Sequence, residues 1–400
     1  MKILMLNHNV AGRGGTYYRA FHAGRYLVRR GHQVTLVTIS PRRRFRFDRV
    51  MRAGVEVIES PDIFWGTGRT GWDVWDAVRR SLWARNREWD VVHAWDCRPV
   101  VILPALSLQR RNSRTPRLII DWCDWWGRGG TQAERPESML KRAYAPIETF
   151  FEEHFRARAD ATTVASEALR QRVIGLGVQP DTVMLLPGGC DTEAIRPQDR
   201  HAARESLGIR DAFVVGYMGA MPASEVSLVA ETLRAVRRQV RSMTFLAIGV
   251  SIAGSSVPFR DMIGPDVAAF TVETGRVAFE QVGHYLAACD VLMLAMRDNV
   301  SNAARWPSKI NDYLAAGRAI VATRVGEVGR LFDERIGAIV QPEAQQIAKA
   351  IIDLLLDPDR SAEAGRYARS VAEKDLNWSR LAMRLERHYT GSATTEGDMP

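Results

Sequence analysis

The feature that most constrains this fold is a regular alternation of short apolar runs with longer amphipathic stretches. Apolar runs of about four to eight residues between glycines or polar residues are typical of buried strands, and apolar residues spaced three and four positions apart are typical of helices. The alternation fills the first half of the chain and restarts at residue 213. Strands that alternate with helices form parallel sheets covered by helices. The pattern therefore predicts two α/β halves, each with a doubly wound parallel sheet.

The predicted elements follow the chain in this order. Strands are predicted at residues 2–7, 33–39, 55–59, 90–94, 118–121, 161–165, 183–186, 213–218, 244–248, 291–295, 319–322 and 338–340. Helices are predicted at residues 17–30, 72–86, 136–158, 228–241, 279–288 and 308–316. A chain of 400 residues is also too long for one ordinary core.

The predicted organisation has four parts. We expect an N-terminal domain at 1–190, a C-terminal domain at 191–375, a helix at 376–390 that packs back on the N-terminal domain, and a disordered tail at 391–400. Ligands of open α/β sheets bind beyond the carboxyl ends of the strands. We therefore expect the site in a cleft between the two domains and examine the loops that follow the strands.

The positive charge of the chain is concentrated in one segment. The net charge is +9, yet residues 1–50 hold eleven Lys and Arg against one acidic residue, so the rest of the chain is nearly neutral. A nucleic-acid-binding protein needs a wider basic surface, so we expect no nucleic-acid partner. No apolar run reaches the ~18 residues of a membrane span. The N-terminus reads as a strand, and the four cysteines are widely spaced, so we expect a cytoplasmic protein without a disulfide framework or zinc knuckle.

The first loop is rich in glycine. Gly14 and Gly15 come directly before a predicted helix, where backbone N–H groups at the positive end of the helix dipole can receive a phosphate or a sugar. A plain tight turn is the alternative. The dinucleotide-binding pattern Gly-x-Gly-x-x-Gly fails because Tyr17 stands at its third glycine. An NAD-dependent dehydrogenase is therefore disfavoured.

A basic loop follows the second strand. Arg42, Arg43 and Arg44 are consecutive, and Phe45, Arg46 and Phe47 follow them. Such a loop suits an anionic membrane surface or a phosphorylated acceptor. A solvated basic loop is an equally acceptable interpretation.

Aromatic and acidic residues end two further strands. His93, Trp95 and Asp96 follow one of them. Carboxylates that accept hydroxyl hydrogen bonds and rings that stack on sugar faces suit carbohydrate recognition. The other strand is followed by a second group of this kind, Asp124, Trp125 and Trp126.

In the second half, Pro307, Ser308 and Lys309 open a helix, and Asp312 lies one turn further. Proline suits the first turn, and the next N–H groups can bind phosphate near the lysine charge. Asp312 could bind a ribose diol. Simple capping is the alternative.

Several stretches in this order resemble the retaining glycosyltransferases of sequence family four. The most specific are LPGGCDTEAIRP and PSKINDYLAAGRAIVAT, and weaker ones such as DVVHAWD and VVGYMGAM extend the resemblance over roughly residues 1–390. That family has two facing Rossmann-like domains, the GT-B arrangement. The resemblance implies an acceptor-binding N-terminal domain and a C-terminal domain that binds a nucleotide sugar. It also implies a metal-independent hexosyl transfer that retains the anomeric configuration.

The motifs described above and the resemblance together give a set of candidate site residues. Asp124 and His93 are the candidate catalytic residues, with no metal ligand and no cofactor beyond the UDP- or GDP-sugar donor. The candidate donor-binding residues are Gly14, Gly15, Gly219, Arg276, Arg305, Pro307, Ser308, Lys309 and Asp312. The candidate acceptor-binding residues are Trp95, Asp96, Trp125, Trp126, Arg42, Arg43 and Arg44. The implied acceptor is a glycan or a lipid-linked intermediate of envelope polysaccharide synthesis, with peripheral contact at the inner face of the membrane.

The chain also departs from the family pattern at three positions. Ala220 and Glu225 stand where the family has a basic pair that grips the diphosphate, and Ala304 stands at the first of two family glutamates. Lys309, Arg305 and Arg276 are the candidate replacements. The departures leave open a non-catalytic member that binds a glycan or a partner protein, and a nucleotide-sugar epimerase of the same form is a further alternative.

Overall fold

The computed structural model of this chain describes residues 1–42, 45–62, 70–109, 115–134, 139–253 and 255–391. Arg43, Arg44 and residues 392–400 of the predicted tail lie outside these ranges. The chain forms two compact units. The first unit holds Met1–Gly189, the short segment Ala304–Trp306 and the chain from Trp378 onward, and the second holds Cys190–Ala303 and Pro307–Asn377.

The elements of the described residues have the following bounds. The strands are β1 (Lys2–Val10), β2 (Gln33–Ile39), β3 (Asp48–Arg52), β4 (Val55–Ser60), β5 (Val91–Ala94), β6 (Arg117–Trp122), β7 (Ala161–Val164), β8 (Val183–Leu185), β9 (Phe213–Pro222), β10 (Met243–Ala253), β11 (Thr271–Glu273), β12 (Val291–Leu294), β13 (Ala319–Thr323) and β14 (Gly337–Val340). The helices are α1 (Gly15–Arg29), α2 (Val74–Arg85), α3 (Pro99–Gln109), α4 (Thr131–Glu134), α5 (Met139–Glu153), α6 (Glu167–Gly175), α7 (Arg200–Ser206), α8 (Val226–Gln239), α9 (Phe259–Ile263), α10 (Pro265–Ala268), α11 (Phe279–Ala287), α12 (Val300–Ala304), α13 (Lys309–Ala316), α14 (Gly326–Leu331), α15 (Ala344–Leu356), α16 (Pro358–Lys374) and α17 (Trp378–Thr390). None of these helices combines the length and the hydropathy that a membrane-spanning helix needs.

The sheet of the first unit has the strand order β3-β4-β2-β1-β5-β6-β7-β8. Its central strand β1 sends alternate side chains to opposite faces. Ile3 and Met5 pack in the core with α1 and α17, and Leu4 and Leu6 pack in the core with α2 and α3. The sheet is thus covered on both faces, as the alternating pattern predicts for a parallel sheet.

One strand of this sheet runs against the prediction. β3 pairs with β4 in the antiparallel direction, and the sequence pattern did not reveal it. Ala53 and Gly54 connect the two strands with φ angles of 46° and 80°. A two-residue turn with positive φ at both positions closes an antiparallel hairpin, whereas a parallel pair needs a long crossover.

The second unit has a fully parallel sheet with the order β11-β10-β9-β12-β13-β14. Its core includes Val215 of β9, Leu233 of α8 and Ile351 of α15. The prediction of two Rossmann-like α/β units with parallel sheets is confirmed. The segments that follow β1 and β6 carry five of the candidate site residues, Gly14, Gly15, Asp124, Trp125 and Trp126, and Gly219 lies near the C-terminal end of β9.

Candidate active site

The loop after β1 delivers glycines to the start of α1. Gly14 has a φ of 84°, and a Cβ there would lie 2.8 Å from the side chain of Asn9. That side chain fixes the turn because Asn9 Oδ1 accepts the N–H of Tyr17 at 3.0 Å. Gly15 has open space where a side chain would stand. The backbone of Gly14 and Gly15 is accessible, as their predicted ligand role requires. Asn9 positions this turn, and the sequence did not reveal that role.

The loop after β6 lies against the first turn of α1. Thr16 Oγ1 is 3.3 Å from Cys123 Sγ, and the next residue, Asp124, is exposed. Although Asp124 is exposed, the protein packed around the carboxylate disfavours its charge and raises the pKa of Asp124, and the nearby guanidinium of Arg305 opposes that shift. The structure therefore brings Asp124 and Arg305 together near the glycine loop of the first unit.

A buried glutamate holds the tryptophan loop in place. Glu152 is fully buried and accepts the N–H groups of Trp126 and Gly127, both at 2.7 Å. Trp125 is half-buried, and the guanidinium of Arg172 lies 3.8 Å above its ring. Part of the Trp125 side chain is therefore accessible, as its predicted contact with an acceptor requires.

Trp126 and Asp96 are corrected by the structure. Both are buried, and Trp126 Nε1 donates to Asp96 Oδ1 at 3.2 Å. The same oxygen accepts the N–H of Cys97 at 2.6 Å, which stabilises Asp96 at a φ of 143°. The other carboxylate oxygen lies 3.2 Å from His8 Nδ1. The buried Asp96 and Trp126 side chains therefore stabilise the tryptophan loop after β6 and are not accessible to an acceptor.

His93 and Trp95 are also wrong as predicted site residues. Both are fully buried, and their rings stack with centroids 4.1 Å apart. His93 Nδ1 lies 2.7 Å from the hydroxyl of Tyr389 and Nε2 lies 3.2 Å from Thr163 Oγ1. Burial, assisted by the charge of Arg19, lowers the pKa of His93 well below its usual value. Their side chains point to the sheet face that α1 and α17 cover, so both residues belong to the core.

In the second unit, Lys309 lies beside the C-terminal part of β9. Lys309 Nζ donates to Tyr217 Oη at 2.7 Å and to the carbonyl of Ala220 at 2.9 Å, and it lies 3.9 Å from the centroid of the Tyr217 ring. Gly219 precedes this carbonyl with a φ of 75° and open space where a side chain would stand. A positive charge therefore stands next to the half-buried Gly219 and the exposed Ala220 at the end of β9.

The remaining predicted donor residues occupy different places. Ser308 is exposed at the N-cap of α13 and Pro307 is buried. Arg276 is exposed in the loop after β11, two strands from β9. Among the described residues, no group of three or more His, Cys, Asp or Glu side chains could hold a metal ion.

Asp312 belongs to a pair of carboxylates. It is half-buried in α13, and burial together with the charge of Asp191 raises the pKa of Asp312 to about 7. Asp191 is itself buried and accepts the N–H of Ala194 at 3.2 Å. The nearby negative charge therefore favours the protonated form of Asp312.

This pair makes stability depend on pH. An acid whose pKa is higher in the folded state binds its proton more tightly there, so stability falls as pH rises from about 4 to 7. Asp312→Asn removes that loss, because asparagine does not ionise. We expect the variant to unfold at least about 2 °C higher than the wild type at pH 8 and at nearly the same temperature at pH 4. Calorimetry measures both, with the exposed Asp353→Asn as the control, and an equal shift at both pH values would contradict this account.

Comparison with known proteins identifies the chain. Residues 13–194 match the family model described as Glycosyltransferase Family 4, and residues 212–357 match the model described as Glycosyl transferases group 1. The chain belongs to the family 4, group 1 glycosyltransferases. The first match falls mainly in the first unit and the second match mainly in the second unit.

Individual glycosyltransferases are similar over parts of their length. A glycosyltransferase assigned to teichuronic acid biosynthesis in Bacillus subtilis, TuaH, is 24% identical over 69% of this chain and 67% of its own length. The D-inositol 3-phosphate glycosyltransferase of Saccharomonospora viridis is 28% identical over 57% of this chain and 55% of its own length. A GDP-mannose-dependent phosphatidylinositol monomannoside mannosyltransferase of Mycolicibacterium smegmatis is 26% identical over 58% of this chain and 63% of its own length.

Solved structures share the fold over nearly the whole chain. Sucrose-phosphate synthase from Thermosynechococcus elongatus has a TM-score of 0.74 at 18% identity and covers 98% of both chains. HepE from Anabaena, solved with UDP and glucose, has a TM-score of 0.69 at 15% identity and covers 98% of this chain and 100% of its own. Identities this low establish the fold and no more.

The structure explains the positions where this glycosyltransferase departs from the family pattern. Ala220 is exposed, but Glu225 is buried and accepts a hydrogen bond from Asn302 Nδ2 at 3.0 Å. Ala304 is fully buried with Trp122 and Val164 in a hydrophobic cluster. A carboxylate at position 304 would enter this cluster, and Glu225 serves as an internal tie between α8 and α12.

Proposed function

We propose that this glycosyltransferase moves a hexosyl group from a UDP- or GDP-sugar to a glycan or lipid-linked acceptor at the cytoplasmic face of the membrane. The transfer retains the anomeric configuration and needs no metal ion or other cofactor. The observation that carries the proposal is the ammonium group of Lys309, placed 2.9 Å from the Ala220 carbonyl near the C-terminal end of β9. A fixed cation here suits a diphosphate leaving group. The GDP-mannose-dependent relative and the UDP-bound HepE support a donor of this class.

The proposed reaction assigns a simple role to the start of α13. The bond between the anomeric carbon and the diphosphate oxygen breaks, and the charge that develops on the diphosphate is stabilised by Lys309 and the N–H of Ser308. An acceptor hydroxyl attacks on the same face of the sugar, and its proton passes to the departing phosphate oxygen. Asp124 of the first unit is the proposed ligand for sugar hydroxyls.

A donor screen tests this function. Thermal unfolding is measured with UDP-, GDP- and dTDP-sugars at saturating concentration, where a bound ligand at ~100 times its Kd stabilises by about 2.7 kcal/mol. We expect at least one donor to raise the unfolding temperature by about 5 °C or more. If no donor does so while a glycan does, the non-catalytic alternative suggested by Ala220, Glu225 and Ala304 replaces the enzyme proposal.

An exposed apolar face of α2 supports contact with a membrane-bound acceptor. Val74, Trp75, Val78 and Leu82 are between 43% and 60% exposed on this one helix. The basic loop lies on the same helix, since Arg79 donates to the carbonyl of Phe45 at 2.6 Å and stacks 5.1 Å from the Phe47 ring. Phe45 itself is 80% exposed, and Arg42 and Arg46 are exposed beside it. Apolar side chains with adjacent arginines suit the interface of an anionic bilayer.

Vesicle binding tests this contact. We expect the protein to sediment with phosphatidylglycerol vesicles and a Trp75→Ser, Leu82→Ser variant to bind about tenfold more weakly, because two apolar anchors are lost. Leu356→Ser is the control, since Leu356 is 64% exposed on α15 of the second unit. Equal loss in the control variant, or unchanged binding in the double variant, would contradict membrane docking through α2. Donor binding is expected to stay intact in both.

A further inference from the structure

A second cation lies at the loop that carries the proposed donor contact. Arg297 follows β12, and its Nε donates to the carbonyl of Ser224 at 2.5 Å while Nη2 donates to Ser227 Oγ at 2.8 Å. Ser224 lies in the turn that precedes α8, and Ser227 lies in the first turn of α8. The sequence did not single out Arg297, because it is more than seventy residues away from the turn it contacts.

Lys309 and Arg297 contact the two ends of the segment 220–227, which runs from the end of β9 to the first turn of α8. Lys309 contacts the carbonyl of Ala220, and Arg297 contacts Ser224 and Ser227. Ala220 has a small, exposed side chain, and a side chain at Gly219 would meet no other atom within 4 Å. Neither residue therefore blocks access to the backbone at the end of β9. The 14-residue helix α8 begins here with no acidic residue in its first turn. Its positive end adds to the field of the two cations.

Glu225 precedes α8 in this segment, and its carboxylate is turned away from the surface near Arg297 and Lys309. Glu225 is 1% exposed, and its carboxylate accepts a hydrogen bond from Asn302 Nδ2. The same nitrogen donates to the backbone carbonyl of Arg297 at 2.8 Å. Asn302 therefore holds the Glu225 carboxylate in the interior and fixes the backbone from which the Arg297 side chain extends.

We propose that Arg297 and Lys309 together bind the diphosphate of the donor, with Arg297 as the second cationic ligand that Ala220 and Glu225 do not provide. This inference rests on the proposed function. Two of the five N–H groups of the guanidinium make the bonds to Ser224 and Ser227, and a half-buried arginine held in this way is oriented before the ligand arrives. Its planar fork suits two phosphate oxygens.

The test separates diphosphate binding from nucleoside binding. UDP, GDP, uridine and guanosine are titrated into the full chain, and Kd values are measured by calorimetry or by NMR where binding is weak. The variants are Arg297→Gln, which loses the charge, and Arg297→Lys, which keeps it. Arg238→Gln is the matched control, since Arg238 is exposed near the C-terminal end of the same helix α8.

We expect Arg297→Gln to bind the nucleoside diphosphate at least about tenfold more weakly with nucleoside affinity unchanged. Arg238→Gln is expected to stay within about threefold of the wild type, and Arg297→Lys to fall between the wild type and Arg297→Gln, because it keeps the charge and loses the fork. The inference is overturned if Arg297→Gln binds the diphosphate normally, if it loses nucleoside and diphosphate affinity alike, or if Arg297→Lys loses as much as Arg297→Gln. Failure of the wild type to bind either diphosphate would instead contradict the proposed function, and this inference with it.

Discussion

An Arg80→Ala variant is expected to lose about 3–5 kcal/mol of unfolding free energy in the first unit. Arg80 and Asp76 are both fully buried, and Arg80 Nε lies 2.9 Å from Asp76 Oδ2. The guanidinium also donates to Ser60 Oγ at 2.9 Å and to the carbonyls of Asn7 and Val100 at 2.7 and 3.2 Å. Alanine would leave the Asp76 carboxylate buried without its cation and would release α2 from β1, β4 and α3.

Denaturant unfolding followed by tryptophan fluorescence measures this loss. Nine of the eleven tryptophans lie between residues 65 and 126, so the signal reports mainly on the first unit. Arg85→Ala is the control, because Arg85 is exposed at the end of the same helix, and we expect it to cost less than about 0.5 kcal/mol. A double variant, Asp76→Leu with Arg80→Met, is expected to be more stable than Arg80→Ala and to recover much of the lost unfolding free energy. In the double variant no uncompensated Asp76 charge is left in the interior. Equal stability of Arg80→Ala and Arg85→Ala would show that the buried pair does not hold the unit together.

A Lys309→Ala variant is expected to lose about 100-fold or more in kcat/KM for the donor, because removing one preorganised charge donor from a transition state typically costs that much. Lys349→Ala is the matched control, since the Lys349 side chain is 76% exposed and pairs with Asp353 on α15. Unfolding temperatures of both variants show whether the lost contacts of Lys309 with Tyr217 and Ala220 also weaken the second unit. A kcat/KM within about threefold of the wild type would exclude Lys309 from the donor site.

The architecture could be predicted from the sequence because buried strands and amphipathic helices leave different periodic signals. The elements that were missed have physical reasons. α3 (PVVILPALSLQ) is apolar on every side, so its periodicity does not distinguish it from a buried strand. β3 has exposed or half-exposed residues throughout, so it lacks the apolar run that marks a central strand.

The candidate site could be predicted in part. Lys309 and the Gly14-Gly15 turn could be singled out because local spacing at a helix start carries the signal, and their binding roles stay predictions. His93 and Trp95 were misassigned because their exposure depends on α17, whose Tyr389 lies 296 residues from His93. Arg297 and Glu152 act through tertiary contacts, and no local pattern around either residue marks such a role.

The central claim is that the protein uses a nucleotide sugar as a glycosyl donor with retention. Proton NMR of the protein mixed with the donor that stabilises it follows the anomeric signal directly, with water or an added acceptor as the nucleophile. We predict release of the nucleoside diphosphate and a first-formed sugar product with the anomeric configuration of the donor, and release that is about 100-fold or more slower with Lys309→Ala. A donor that stays intact, a product of inverted configuration, or free epimerised sugar without transfer would contradict the claim.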